Sequence, residues 1–241
     1  MKRILAVISA VTVMAAATSW GATVKNTKHD LSTGATGNLG ASSTGGSDQI
    51  CKYCHTPHNP QQAIPLWNRA NISATAFKFY SSPTMSLNRP VALTDKFEAT
   101  SISLFCMSCH DGGTLGARIH NGAAAITGTL AAPSATVPNI TTDAITDGTK
   151  GDLGTDLSND HPVNLQLAAT TAEMNNAIYA PAGDGRSITD GITTLPLFKG
   201  ASGSRYLECS SCHAVHDNTT AAPFLRVANT NSKLCLACHK K

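Results

Sequence analysis

Aromatic side chains are scarce in this chain: Phe, Trp and Tyr together make up 5% of its 241 residues. Large rings carry much of the burial energy of an ordinary core, so a core built from side chains alone is not expected. Charged residues are also thin, at 14%, and the net charge is only +3. No basic patch stands out, which excludes the electrostatic footprint of a nucleic-acid partner. The one long apolar run, residues 4–17, falls short of the roughly 20 residues that span a bilayer. Lys2 and Arg3 precede it and Ser19-Trp20-Gly21 follows it, so residues 1–21 read as a cleaved secretory signal. No transmembrane segment is expected, and residues 22–241 are expected to form one exported domain. No cysteine lies near the cleavage site to offer a lipid anchor, and no cysteine stands outside one short pattern.

That pattern is Cys-x-x-Cys-His. Its four copies are Cys51-Lys-Tyr-Cys54-His55, Cys106-Met-Ser-Cys109-His110, Cys209-Ser-Ser-Cys212-His213 and Cys235-Leu-Ala-Cys238-His239. The spacing is that of c-type haem attachment: two thiols add across the porphyrin vinyl groups and the adjacent histidine takes the iron. Four copies with no cysteine left over are not an accident of composition. The chain is expected to carry four covalent haem c groups, with His55, His110, His213 and His239 as proximal ligands. Zinc or an iron–sulfur cluster needs thiolates, but not a histidine directly after every second cysteine. Disulfides closing two-residue loops are redox-labile rather than structural. The expected fold is mostly irregular coil with short α-helices and few short strands, wrapped around a chain of four covalently bound haems. Loss of Lys2 and Arg3 leaves a net charge of about +1, and the haem propionates then make the holoprotein mildly acidic.

Between the motifs the chain reads as loops with brief elements. Residues 32–48 are rich in Gly, Ser and Thr and read as irregular. Asp95 with Glu98 has the form of a capping box and predicts a helix running through Phe97 and Ile102 to Cys106. Residues 112–158, with few charges and much Thr, Ala and Gly, read as loops with short strands. Thr170 with Glu173 predicts a short helix through Tyr179. Residues 181–204 read as turns with a possible hairpin, and each cysteine pair is expected on a single helical turn.

Each iron needs a sixth ligand. Of nine histidines, five remain after the proximal four: His29, His58, His120, His161 and His216. Four irons and five candidates predict bis-histidine ligation throughout, with one to spare. Methionine is the competing ligand and raises the potential, but only Met85, Met107 and Met174 survive signal removal, and Met107 lies inside the second motif. His58 follows His55 by three residues, and His216 follows His213 by three. Two ligands of one iron sit on opposite porphyrin faces, their Cα atoms roughly 12 Å apart for Fe–N bonds near 2 Å. Three residues span at most about 10–11 Å. His58 therefore serves an iron other than that of His55, and His216 one other than that of His213. Two such short bridges draw haems into close pairs, where electron hopping is fast. His161 sits in an Asn-Asp-His-Pro-Val turn, and His29 lies near the mature N-terminus. His120, in Arg-Ile-His-Asn-Gly, has no special setting and is kept in reserve.

Lys28-His29-Asp30-Leu31-Ser32, Cys54-His55-Thr56-Pro57-His58-Asn59, Pro65-Leu66-Trp67-Asn68-Arg69, Cys109-His110-Asp111-Gly112 and Asp160-His161-Pro162-Val163 are scattered over most of the mature chain. With these stretches the chain resembles the exported multihaem cytochromes of metal-reducing bacteria, of the OmcE/OmcS type. The resemblance implies that His29, His58, His161 and His216 are the distal ligands. It also implies polymerisation into extracellular filaments with a continuous haem chain, and a distal histidine, His29 or His58, that crosses between protomers.

The reading that follows is an electron-transfer protein rather than an enzyme. It is a secreted tetrahaem c-type cytochrome at the outer cell surface, reached through the periplasm. Periplasmic donor cytochromes are expected to feed it, and extracellular acceptors such as metal oxides or other cells to drain it. The alternative is a monomeric periplasmic electron shuttle with the same haems. A multihaem reductase of nitrite or hydroxylamine would need an open distal site, marked by a missing histidine or a lysine in the motif, and neither sign is present.

Overall fold

The computed structural model describes residues 24–32, 48–61, 65–70, 73–75, 77–82, 96–111, 120, 153–167, 178–200, 203–217 and 224–241. The signal segment, Met85, Met174, most of residues 112–158 and the helix expected from Thr170 lie outside them. All four motifs lie inside.

The elements are short. They run β1 (Lys78–Phe79), α1 (Ser103–His110), β2 (Asp156–Leu157), β3 (Leu165–Gln166), β4 (Ser187–Thr189), β5 (Thr194–Pro196), β6 (Phe198–Lys199), β7 (Arg205–Leu207), α2 (Cys209–Cys212) and α3 (Lys233–Leu236). Single 3-10 turns occupy Ile50–Tyr53 and Thr230–Ser232. β7 is the middle strand of an antiparallel sheet, pairing Leu207 with Leu165 on one side and Tyr206 with Phe198 on the other. β1 and β2 form a parallel pair that joins Phe79 to Leu157 across a long stretch of chain.

β4 and β5 make a hairpin in the region read as turns with a possible hairpin, with Ile188 opposite Leu195. Its tip is set by Asp190, whose Oδ1 accepts from the backbone N–H groups of Ile192 (2.8 Å) and Thr193 (2.5 Å). Gly191 follows at φ +90°, a conformation that favours glycine. The alternation of the strands sends Ile188 and Leu195 inward, where both are fully buried.

Two apolar clusters anchor these pieces. Leu165, Leu167, Ile188, Leu195, Leu197, Leu207 and Ala237 form one, against which Leu234 and Cys238 of the last motif pack. Phe77, Phe79, Phe97, Leu104, Met107 and Leu157 form the other, beneath α1. Phe97 meets Phe77 and Phe79 edge-on, with ring centres 4.8 and 4.9 Å apart, the arrangement that ring quadrupoles favour. Each buried side chain contributes about 1.5–3 kcal/mol. Each cluster thus holds one end of the attachment region.

The helix expected to start at Asp95 starts eight residues later. Residues 98–102 form turns instead: Ser101 N–H donates to Glu98 O (2.8 Å), and Thr100 Oγ1 takes the Glu98 carboxylate that a capping box would need. α1 begins only after Ser101 Oγ has accepted the N–H of Ser103 (3.2 Å). Local side-chain bonds of this kind compete with a helix and move its start.

Candidate haem-binding sites

Each cysteine pair sits on a single turn, and the following histidine is tethered to it by backbone. The His55, His213 and His239 N–H groups donate to the carbonyls of Cys51 (2.8 Å), Cys209 (3.0 Å) and Cys235 (2.9 Å). All eight cysteines are free thiols, and among the described residues no three or more His, Cys, Asp or Glu side chains gather as a metal-ion site.

Three of the expected proximal histidines each face a candidate sixth ligand from a distant stretch of chain. His55 lies 6.0 Å from His216 between ring centres, with planes 30° apart. His110 lies 6.0 Å from His29 at 83°. His239 lies 6.4 Å from His161 at 83°. Two imidazoles sharing one metal at about 2 Å per nitrogen place their centres roughly 6.3 Å apart, so these spacings fit an iron between the rings. His216 stands against His55 and not against His213, its neighbour in sequence. His58 and His120 are exposed. Met107 is fully buried in the phenylalanine cluster, away from a ligand's position.

The ring nitrogens are set for metal. Pro65 O can only accept, so His55 Nδ1–H donates to it at 2.8 Å and Nε2 keeps its lone pair. His161 Nδ1 meets Pro162 O at 3.1 Å in the same way. Burial, helped by the nearby His110, His213 and His216, lowers the His29 imidazole from 6.5 to about 4. Partial desolvation lowers that of His161, with His239 adding to it and the Pro162 bond opposing it. Burial thus favours the neutral form of both rings, the form that binds metal.

Phe224 stacks on His29 at 4.5 Å and 22°. Two buried nitrogens next to these rings, His29 Nδ1 and Trp67 Nε1, have no hydrogen-bond partner among the described residues; such groups ordinarily find one, and a bound cofactor can supply it. Beside the first motif a cavity of about 490 Å³ opens, lined by Ile50, Cys51, His55, Thr56, Pro57 and Leu66, within the volume range of a cofactor pocket.

The thiols link the motifs in sequence order. Burial pushes the thiol of the half-buried Cys54 up to about 12, with Cys109 adding to it. Cys106 and Cys209 lie close enough to interact, which raises the first thiol and lowers the second. Cys212 and Cys235 both act on Cys238, pushed up mainly by burial to about 12.

The second and third motifs are joined by a buried carboxyl. Glu208, 2% exposed, caps α2 reciprocally with Ser211. It accepts from Ser101 Oγ (2.8 Å) and from Ser103 Oγ of α1, and Ser103 Oγ accepts the Cys209 N–H (3.0 Å). Sequence reading passed over Glu208 and Phe224. The form Glu208-x-x-Ser211 reverses the usual order of a capping box, and a phenylalanine between Pro223 and Leu225 carries no sign of what it stacks upon.

A family model described as "Doubled CXXCH motif" matches residues 203–241, which hold the third and fourth motifs. No curated protein matches the chain. The matched segment carries the paired haem-attachment pattern of c-type cytochromes, and such motifs bind haem covalently. That pattern belongs to multihaem electron transfer.

Proposed function

We propose that the protein is a secreted tetrahaem cytochrome that passes electrons along closely spaced bis-histidine haems. The three histidine pairs, at 6.0, 6.0 and 6.4 Å, carry this reading. Haem c, once bound, supplies reversible one-electron chemistry at iron, at the low potentials typical of two histidine ligands.

The chain's own residues do the rest. Cys51 and Cys54, Cys106 and Cys109, Cys209 and Cys212, and Cys235 and Cys238 hold the four groups, in the order first, second, third, fourth. His216 serves the iron of His55, His29 that of His110, and His161 that of His239. The iron of His213 falls to His58, from the same chain or from a neighbouring copy, and His120 stays in reserve. Bonds to Pro65 and Pro162 hold the His55 and His161 rings in orientation. Polymerisation into extracellular filaments, with His58 crossing between protomers, extends the relay beyond one chain to an external acceptor.

The test is the mature, secreted protein. A mass above the polypeptide by four haems, with a c-type haemochrome spectrum, supports the reading; the bare polypeptide mass sinks it. Electron micrographs of the same material separate a filament from a monomeric periplasmic shuttle.

A further inference from the structure

Four titratable groups outside the iron ligands, Glu98, Cys106, Glu208 and Cys209, meet at the joint between the second and third attachment motifs. Glu208 is the best-buried carboxyl there. Among the described residues it has no salt-bridge partner; the hydroxyls of Ser101 and Ser103, ahead of Cys106, and the backbone N–H of Ser211, between Cys209 and Cys212, surround it. Its backbone is continuous with Cys209, and Cys209 touches Cys106. A porphyrin edge attached at either thiol therefore comes close to this carboxyl.

The cage suits both protonation states. A serine hydroxyl has one donor and two acceptor sites. With Glu208 ionised, Ser101 and Ser103 donate to it. With Glu208 protonated, either hydroxyl can rotate and accept, since Ser103 N–H and Cys209 N–H occupy only one lone pair each. The Ser211 N–H can only donate, but the two hydroxyls can reverse, so the proton has a place on the carboxyl.

From this geometry we infer that Glu208 is a redox-linked proton site, taking up a proton when an electron reaches the second or third haem and releasing it when the electron leaves. The inference rests on the tetrahaem reading above. An electron in the interior favours the neutral acid, and its departure favours the carboxylate. The balance is one electron from a low-potential donor and one proton from water on reduction, with both returned on oxidation. Burial raises Glu208 to about 7, with Ser103 and Ser101 opposing and Glu98 assisting, so that small changes in nearby charge move it across neutrality. The titratable groups that face it are Glu98, on the turn before α1, and Cys106 and Cys209; the two thiols become thioethers on haem attachment and no longer titrate.

The experiment is a spectroelectrochemical titration of the haem-loaded protein at several pH values. In the wild type, one macroscopic potential falls as pH rises near neutrality, approaching the limit of tenfold per pH unit, about 59 mV for one electron. Glu208→Gln flattens that slope, and Glu208→Asp restores it with a shifted midpoint. Infrared difference spectra of the wild type gain a protonated-carboxyl band on reduction. If Glu208→Gln fails to take up haem, Ser101→Ala decides: loss of a bond to the carboxylate moves the band's midpoint to higher pH. A wild type with no slope, or a slope that survives in Glu208→Gln, overturns the inference. So does a reduction spectrum without the band, or a band that Ser101→Ala leaves in place. The haemochrome spectrum of each preparation shows whether the haems are there, so failure of this proton site and failure of the tetrahaem reading are told apart.

Discussion

Replacing Phe224 by alanine and by glycine should give an inverted order of stability. Phe224 is 5% exposed and stacks on His29. Truncating a buried phenylalanine costs about 3–5 kcal/mol. For a chain of this size each kcal/mol moves the melting temperature by roughly 2–4 °C, so Phe224→Ala should melt about 6–20 °C below the wild type. The backbone there has φ +59°, in the left-handed region, which costs a side-chain-bearing residue about 1–2 kcal/mol. Glycine removes that cost but carries about 0.5–1 kcal/mol of extra chain entropy. Phe224→Gly should therefore melt up to about 6 °C above Phe224→Ala, the reverse of the usual ranking. The assay is thermal unfolding of the haem-loaded protein followed by circular dichroism, with carbon monoxide binding to the reduced form as a second readout. Both variants loosen His29 and should admit carbon monoxide at the second haem. An alanine variant more stable than the glycine variant, or one indistinguishable from the wild type, would refute the role given to this residue.

Other perturbations separate the ligands from their neighbours. His29→Ala, His161→Ala and His216→Ala should each open one iron and bind one carbon monoxide per chain when reduced, while His120→Ala binds none; stoichiometric titration by absorption decides. Met107→Leu, a swap of similar volume in the phenylalanine cluster, should cost under about 1.5 kcal/mol and leave every reduction potential in place; a shifted potential would mark Met107 as a ligand. The folded chain binds a proton at His29 more weakly than the unfolded chain does, because its value drops from 6.5 to about 4. Stability should therefore rise with pH across that window and be lost as pH falls through it, by a few kcal/mol at most. Urea midpoints measured at stepped pH, with His29→Ala as reference, check the sign. Gly200→Ala should destabilise, since a new Cβ would lie 2.6 Å from the Tyr206 ring and against the Glu98 carboxylate; a thermal melt unchanged from the wild type would contradict that packing.

Much of the chemistry was legible before any coordinates. Haem attachment by Cys-x-x-Cys-His depends on residues adjacent in sequence, so local spacing is enough to read it. The reach of three residues likewise excludes His216 from the iron of His213 whatever the fold. The start of α1 was misread because Asp95 and Glu98 have the form of a cap, while the hydroxyls of Thr100 and Ser101 hold that stretch in turns. The histidine pairs, the link between Cys106 and Cys209 and the cage around Glu208 each join residues from 78 to 161 positions apart. Spacing cannot reveal which distant residues meet, because that choice is made by the packing of Leu165, Ile188 and Leu195 at one end and of Phe97 and Met107 at the other. Sequence alone determined what the side chains can bind. The tertiary structure decided which of them face one another, because partners across a fold are selected by the burial of surfaces far from the sites themselves.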